Sequence, residues 1–194
     1  MNIIKLGPDN QETAVDILTR AFHDDPVLNW ISSDPRFARR FFELTLPVFL
    51  PQGHSYMQAD GKGAASWLDP ASNLQWPFTP TNIWKAVKAG GLGGLFRFAL
   101  SGKKTEKSHP GEAHYSLFAI GAVPECQGQG VGTRLMSHML RQCDEEQMPA
   151  YLENTKEVNL PFYLGHDFQV LEQISFTKSA PPVWLMWRDP QPTA

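Results

Sequence analysis

The stretch "CQGQGVGTRL", Cys126 to Leu135, sets glycines at alternate positions, Gly128, Gly130 and Gly132, directly ahead of a helical pattern. Glycine in or beside a helix costs about 1 kcal/mol relative to alanine, so this spacing needs a compensating use. A strand, a glycine-rich turn and a helix start together form an anion site. The first amides of a helix lack intrahelical acceptors, its dipole is positive there, and glycines let phosphate oxygens reach those amides. A nucleoside-triphosphate loop would need Gly-Lys-Ser/Thr, and no lysine precedes Thr133. A dinucleotide fold would need GxGxxG near the first strand of a βαβ unit, whereas this GxGxG run lies about two-thirds along the chain. On these residues alone a phosphate site and a ligand-free tight turn both stay open. No CxxC or HExxH spacing occurs and the six histidines are scattered, so no metal is expected.

The elements that must position this loop follow from periodicity. "HYSLFAIGAV" reads as a buried strand ending at Pro124, and a helix is predicted from about Gly130 to Gln147. That helix has Val131, Leu135, Met139, Leu140 and Cys143 on one face and Pro149 beyond its end. "AYLE" is a short strand, and "EVNLPFYLGHDF" holds a short helix leaving through Gly165. "QVLEQISF" and "PVWLMWRD" close the chain as strands able to pair antiparallel. Upstream, "NIIKL" reads as a strand, and "DNQETAVDILTRAF" as a helix that Asp9 or Asn10 can cap. "SDPRFARRFFELTLPVFL" reads as a second helix with Asp34 as cap and Pro35 in its first turn. "HSYMQAD" and "AASWLDP" form a hairpin around "GKG". Residues 71–110 change to Pro-rich loops and two helices, Ile83–Ala89 and Leu95–Leu100, with "AGGLGG" as a break. This order predicts one α+β (mixed α/β) domain over 1–194, with 71–110 an insertion covering one side of the sheet.

A chain of 194 residues buries about 70% of its unfolded surface and needs neither disulfide nor metal to fold. With 42% hydrophobic and 19% charged residues it reads as a soluble globular domain. The net charge of −3 and the single short basic cluster "GKKTEK" argue against nucleic-acid and membrane-surface partners. No apolar window reaches membrane-spanning length, and the opening "MNIIKLGPDNQETAVDIL" lacks the pattern of a signal peptide. Two cysteines, Cys126 and Cys143, suit a reducing cytoplasm better than a disulfide framework.

"IGAVPECQGQGVGTRLM" resembles the acyl-CoA-binding motif of the GNAT superfamily of N-acyltransferases, whose core is Gln/Arg-x-x-Gly-x-Gly/Ala. Gln127, Gly130 and Gly132 fill those places. "YLENTKEVNLPFYLGHDF" resembles the next block of that family, with Asn159, Tyr163 and Phe168 matching and Asp167 in place of the usual glycine. The resemblance is strong from Glu112 to Phe176. Upstream, "GAASWLDP" looks like a hairpin strand of small-molecule members akin to puromycin acetyltransferase. It implies a mixed, mostly antiparallel sheet with a splayed strand pair, flanked by helices, and an acetyl-CoA-binding core over 112–176. The amides of Gln127, Gly128, Gln129, Gly130, Val131, Gly132 and Thr133 would then hold the coenzyme A pyrophosphate. Ile120, Ala122 and Val123 would hydrogen-bond the pantetheine arm through their backbone, with Asn159 as a further partner, and Arg134 could reach the 3′-phosphate.

The resemblance also nominates chemistry: Tyr163 as general acid toward the coenzyme sulfur, and a backbone amide at Ala122 or a neighbour for the oxyanion. Many relatives carry a basic glutamate on the central strand where this chain has Ala119. His114 and Glu153 are the substitutes, directly or through water. Asp24, Asp25, Trp30 and Phe41 fall on the early helices that wall the acceptor in this family, where acidic groups would draw in a cationic amine. Asp25 also precedes Pro26 as a helix cap would. The reading is an acetyl-CoA-dependent N-acetyltransferase acting by direct transfer on a small primary amine, as a cytoplasmic monomer or homodimer. A protein or peptide acceptor, or a degenerate acyl-CoA sensor, are its rivals.

Overall fold

The computed structural model describes residues 2–72 and 79–192. Seven strands form one sheet: β1 (Ile3–Lys5), β2 (Gly53–Gln58), β3 (Gly63–Leu68), β4 (Tyr115–Ala122), β5 (Ala150–Asn154), β6 (Gln169–Ser175) and β7 (Pro182–Arg188). Their spatial order is β1-β2-β3-β4-β5-β7-β6. Every neighbouring pair is antiparallel except β4 with β5. This is the mixed, mostly antiparallel sheet flanked by helices that the resemblance implied.

Helices cover both faces. On one, α1 (Gln11–Ala21) buries Ala14, Val15, Ile17 and Leu18, and α3 (Phe37–Phe49) packs beside it. On the other, α5 (Val131–Glu145) buries Val131, Leu135, Met136, Met139, Leu140 and Cys143, which contain the stripe read from the sequence. The short helices α2 (Pro26–Ile31) and α6 (Leu160–Leu164) flank the middle of the sheet. A Cβ at Gly121 would come within 2.5 Å of Ala21, so this position fixes how closely α1 can lie on β4.

Several local expectations change. Asn10 stands at the N-cap position of α1 but its side chain makes no cap bond: it accepts from the Gly7 amide instead, closing a 3-10 turn over Pro8–Asn10. Asp34 accepts from the Arg36 amide but sits upstream of the helix, which starts at Phe37, so Pro35 also lies before its first turn. α5 ends at Glu145, ahead of Gln147, whose φ is +53°. The two insertion helices are longer than their apolar cores predict, running through α4 (Pro80–Ser108) with a non-helical residue at Gly91, inside "AGGLGG". α4 packs on α2 and α3, and residues 73–78 of the Pro-rich stretch lie outside the described residues. Among the described residues no helix is long and apolar enough to cross a membrane.

Candidate active site

Among the described residues, the glycine loop presents a row of unpaired backbone donors. Gly128 and Gly130 both have φ of +73°, the left-handed region that favours glycine, and Gly130 stands directly before α5. The first bond into the helix runs from the Arg134 amide to the Gly130 carbonyl, and no described residue accepts from the amides of Gly128 through Thr133. Those donors face outward at the positive end of a fifteen-residue helix. Gly132 serves differently from its neighbours. A Cβ there would meet the Phe162 ring at 3.3 Å, so it lets α6 approach α5 and does not widen the loop. Arg134 folds back, Nη1 donating to the Gln129 carbonyl at 3.1 Å while its buried Nε has no partner. Gln129 Nε2 donates to the Glu125 carbonyl, and Gln127 Nε2 lies 3.5 Å from the Ala122 carbonyl oxygen. Both amide side chains brace the loop against the end of β4.

Beside this loop β4 and β5 come apart. Their parallel pairing covers only Tyr115 with Ala150, Ser116 with Tyr151 and Leu117 with Leu152. β4 then bulges at Phe118, where its register with β3 shifts between Ser66 and Trp67. β5 stays bound to β7 along its whole length. A cleft opens in the gap, lined by Leu117–Ile120 of β4, Leu152–Asn154 of β5, Phe22, Asp25, Asn159 and Tyr163. Ala122 and Val123 lie beyond it, toward the glycine loop.

Three ionisable groups in the cleft have shifted chemistry. Burial pushes the Glu153 carboxyl up to about 7, against a hydrogen bond from the Tyr151 hydroxyl at 3.3 Å that favours the charged form. Burial, with the negative Asp25 nearby, raises the Tyr163 phenol, which stays a neutral donor and makes no hydrogen bond among the described residues. Burial also raises Asp25, opposed by its hydrogen bonds. Asp25 is the cap of α2: Oδ1 accepts from the Val27 and Leu28 amides at 3.0 and 2.8 Å, and Oδ2 accepts from the Thr155 hydroxyl. Its carboxylate is therefore committed to protein donors, and the adjacent Asp24 pairs with Lys156. The two aspartates clasp the α1–α2 turn to the segment after β5.

Of the residues expected from sequence, Glu153, Tyr163, Asn159, Ile120 and Asp25 converge on the cleft. The Asn159 side chain does not cap α6, which frees its amide for a ligand. Phe41 stands one layer back, its ring centroid 6.0 Å from that of Phe118, and Trp30 is outside the cleft, packed on Phe176 and under Arg97. His114 is buried, not solvent-facing at a strand end, and does not line the cleft: the Tyr151 ring separates it from Glu153. Tyr151, Thr155 and Phe118 were not singled out from the sequence, and Phe22 only as part of the buried stripe of the first helix. The period of two in "AYLE" could have found Tyr151, since it places that side chain on the face of Glu153.

A row of unpaired amides at a helix start, beside a gap between two splayed parallel strands, is the arrangement of the acyl-CoA-dependent acyltransferases. The model of the Acetyltransferase (GNAT) family matches residues 61–168, more than half of the chain, and the protein belongs to that family. It is an acetyltransferase that draws on an acyl-CoA donor. An uncharacterized N-acetyltransferase of Schizosaccharomyces pombe is 25% identical over 191 residues, spanning 90% of this chain and 77% of that protein. A Corynebacterium glutamicum structure described as histone acetyltransferase HPA2 and related acetyltransferase superposes with a TM-score of 0.73 at 23% identity, covering 100% of this chain and 98% of that one. An aminoglycoside 6'-N-acetyltransferase complexed with coenzyme A gives a TM-score of 0.56 at 11% identity, over 100% of this chain and 99% of that one. At these identities the two structures show the shared fold.

Proposed function

We propose that the protein moves an acetyl group from acetyl-CoA directly to the primary amine of a small molecule, with Glu153 as base and Tyr163 as acid. The observation that carries this reading is the placement of a carboxyl near pKa 7 and an unpartnered tyrosine hydroxyl on the same cleft, where β4 and β5 part. Bound in that gap, the thioester supplies a carbonyl whose oxygen gathers charge as the amine adds and whose sulfur then leaves as thiolate.

The residues divide the remaining work. Amides from Gly128 to Thr133 hold the pyrophosphate, with Arg134 at the rim, while the Gln127 amide is spent on the Pro124 carbonyl. Backbone groups of Ile120 and Ala122, with the Asn159 amide, hold the pantetheine arm, as an added edge strand would; the Val123 amide and carbonyl are already bonded to the Lys62 carbonyl and the Cys126 amide. Amides of β4 near its bulge face the carbonyl oxygen. Glu153, titrating near neutral pH, takes a proton from the ammonium form or from the adding amine. Tyr163 stays protonated at working pH and gives its proton to sulfur. No acyl-enzyme is needed: burial raises the Cys143 thiol to about 12, and Cys126 is buried outside the cleft.

The small-molecule acceptor is supported by the walls. α4 lies over α2 and α3, Arg97 donates to the Trp30 carbonyl, and Lys104 donates to the Ser175 carbonyl. Phe22, Phe41 and Phe118 leave an apolar approach suited to an amine with a hydrocarbon or aromatic body. Steady-state coenzyme A release over a panel of small amines and free-N-terminal peptides tests this. Turnover should favour small amines. Preference for peptides would move the acceptor to protein, and acetyl-CoA binding with no turnover on any amine would make the protein a sensor.

A further inference from the structure

We propose that Tyr151 is the positioning residue of the base, its ring held by His109 and His114 so that its hydroxyl is presented to Glu153. This rests on the reading of Glu153 as base. Tyr151 and Glu153 are two apart on β5 and share a face of the sheet, and the hydroxyl lies 3.3 Å from Glu153 Oε1. Trp187 stands directly across from Tyr151 in the β5–β7 pairing. His109, just past α4, and His114, just before β4, meet the Tyr151 ring at centroid distances of 4.8 and 5.4 Å, nearly edge-on. His114 packs in turn on Trp187 at 5.2 Å. The two histidines of the α4–β4 connection thus meet one ring, and Trp187 backs the second of them.

The clamp is itself fixed. His114 Nδ1 lies 2.6 Å from the Glu112 carbonyl oxygen, which can only accept, so Nδ1 carries the proton. Burial, with His109 nearby, lowers the His114 pKa, so this ring is neutral where Glu153 titrates and adds no competing positive charge. Burial raises the Tyr151 phenol, helped by Glu153 and by Glu172 on β6, which keeps it a donor. The other ionisable groups around the cleft are Asp25, Lys156 and Tyr163. Of all these, Tyr151 is the one that donates to Glu153. Desolvation alone would hold this carboxyl protonated, and a fixed donor restores part of its ionised population at neutral pH. The assignment also gives His114 a function at one remove from the chemistry.

The test compares pH profiles of kcat/KM for one acceptor. Tyr151→Phe keeps the ring and removes the donor, so the midpoint of the rising limb should move to higher pH. Activity should fall about three- to tenfold at pH 6 and return to within about twofold of the parent at pH 9. A residue that only packs would lower activity equally at every pH. If Tyr151→Phe does not fold, site-specific 3-fluorotyrosine, a stronger donor in the same place, should move the midpoint down. An unmoved midpoint in the folded variants overturns the proposal. Glu153→Gln separates the two claims: loss of the rising limb together with a parent-like Tyr151→Phe sinks the positioning role alone. A parent-like Glu153→Gln profile sinks the base and the positioning role together.

Discussion

Ala119 and Glu153 look into one cleft from opposite strands, Ala119 two positions and Glu153 one position beyond the last parallel pair, Leu117 with Leu152. The central-strand position where many GNAT members carry a glutamate is a buried methyl here, paired with Ser66. A carboxyl is nonetheless present a strand away, pushed up to about 7 by its surroundings. A proton acceptor needs reach and a suitable pKa, and either strand of a splayed pair can provide both.

Glu153→Gln separates activity from stability. Its folded-state pKa of about 7 lies above the ordinary 4.5, so the folded state binds more protons than the unfolded chain between those values. Stability from this group is present below about pH 4.5 and lost as pH rises through 7. The variant should equal the parent near pH 4 and exceed it by about 1–3 kcal/mol at pH 8 in urea unfolding. Its kcat should fall about 10²–10⁴-fold. A variant as active as the parent at pH 7 removes Glu153 from the mechanism.

Tyr163→Phe retains the ring packed on Phe162 and Phe168 and removes the hydroxyl. Because thiolate is a fair leaving group, kcat should drop at least about tenfold, near the lower end of what a positioned acid contributes. Acetyl-CoA affinity should hardly change. A loss seen only in KM would mean uniform binding instead, and unchanged kcat under chemistry-limited conditions would make Tyr163 a packing residue.

Gly130→Glu places a side chain and a negative charge among the loop amides at a residue with φ of +73°. At acetyl-CoA about 100 times its dissociation constant, the parent should gain about 2.7 kcal/mol of stability, and the variant almost none. Thermal shift with and without acetyl-CoA reads both. A folded variant with the full shift would falsify the phosphate site.

Asp25→Ala removes acceptors for two α2 amides and for the Thr155 hydroxyl, all at a buried site. Loss of a cap with unpaired buried donors should cost about 1–3 kcal/mol. Asp25→Asn retains an acceptor oxygen for the cap and should lose less. Equal stability of Asp25→Ala and the parent in denaturant would mean that the clasp is not holding the turn.

Direct transfer predicts that Cys126→Ala with Cys143→Ala keeps most of the turnover, less any packing loss in the core. Mass spectrometry of quenched turnover mixtures should find no acetylated thiol. An acetyl group trapped on either sulfur points instead to a two-step route.

The sequence by itself determined what neighbours along the chain decide. The glycine turn and the helix it opens were legible because left-handed turns, helix starts and the stripe from Val131 to Cys143 depend on residues within a turn or two of one another. So were the hairpin, the order of strands along the chain and Asp25 as a cap beside Pro26. The site's chemistry was legible only as a choice between His114 and Glu153, because a carboxyl or imidazole takes its pKa from burial and partners that the local sequence does not contain. The tertiary structure sets β5 parallel to β4 and ends their pairing at Leu117 and Leu152, desolvating Glu153, while the Tyr151 ring keeps His114 from the cleft. It joins Asp25 to Thr155 across 130 residues, turning an expected acceptor contact into a clasp. Hydrogen bonds within a turn are written in adjacent residue types, whereas desolvation and long-range pairing exist only once distant segments pack together.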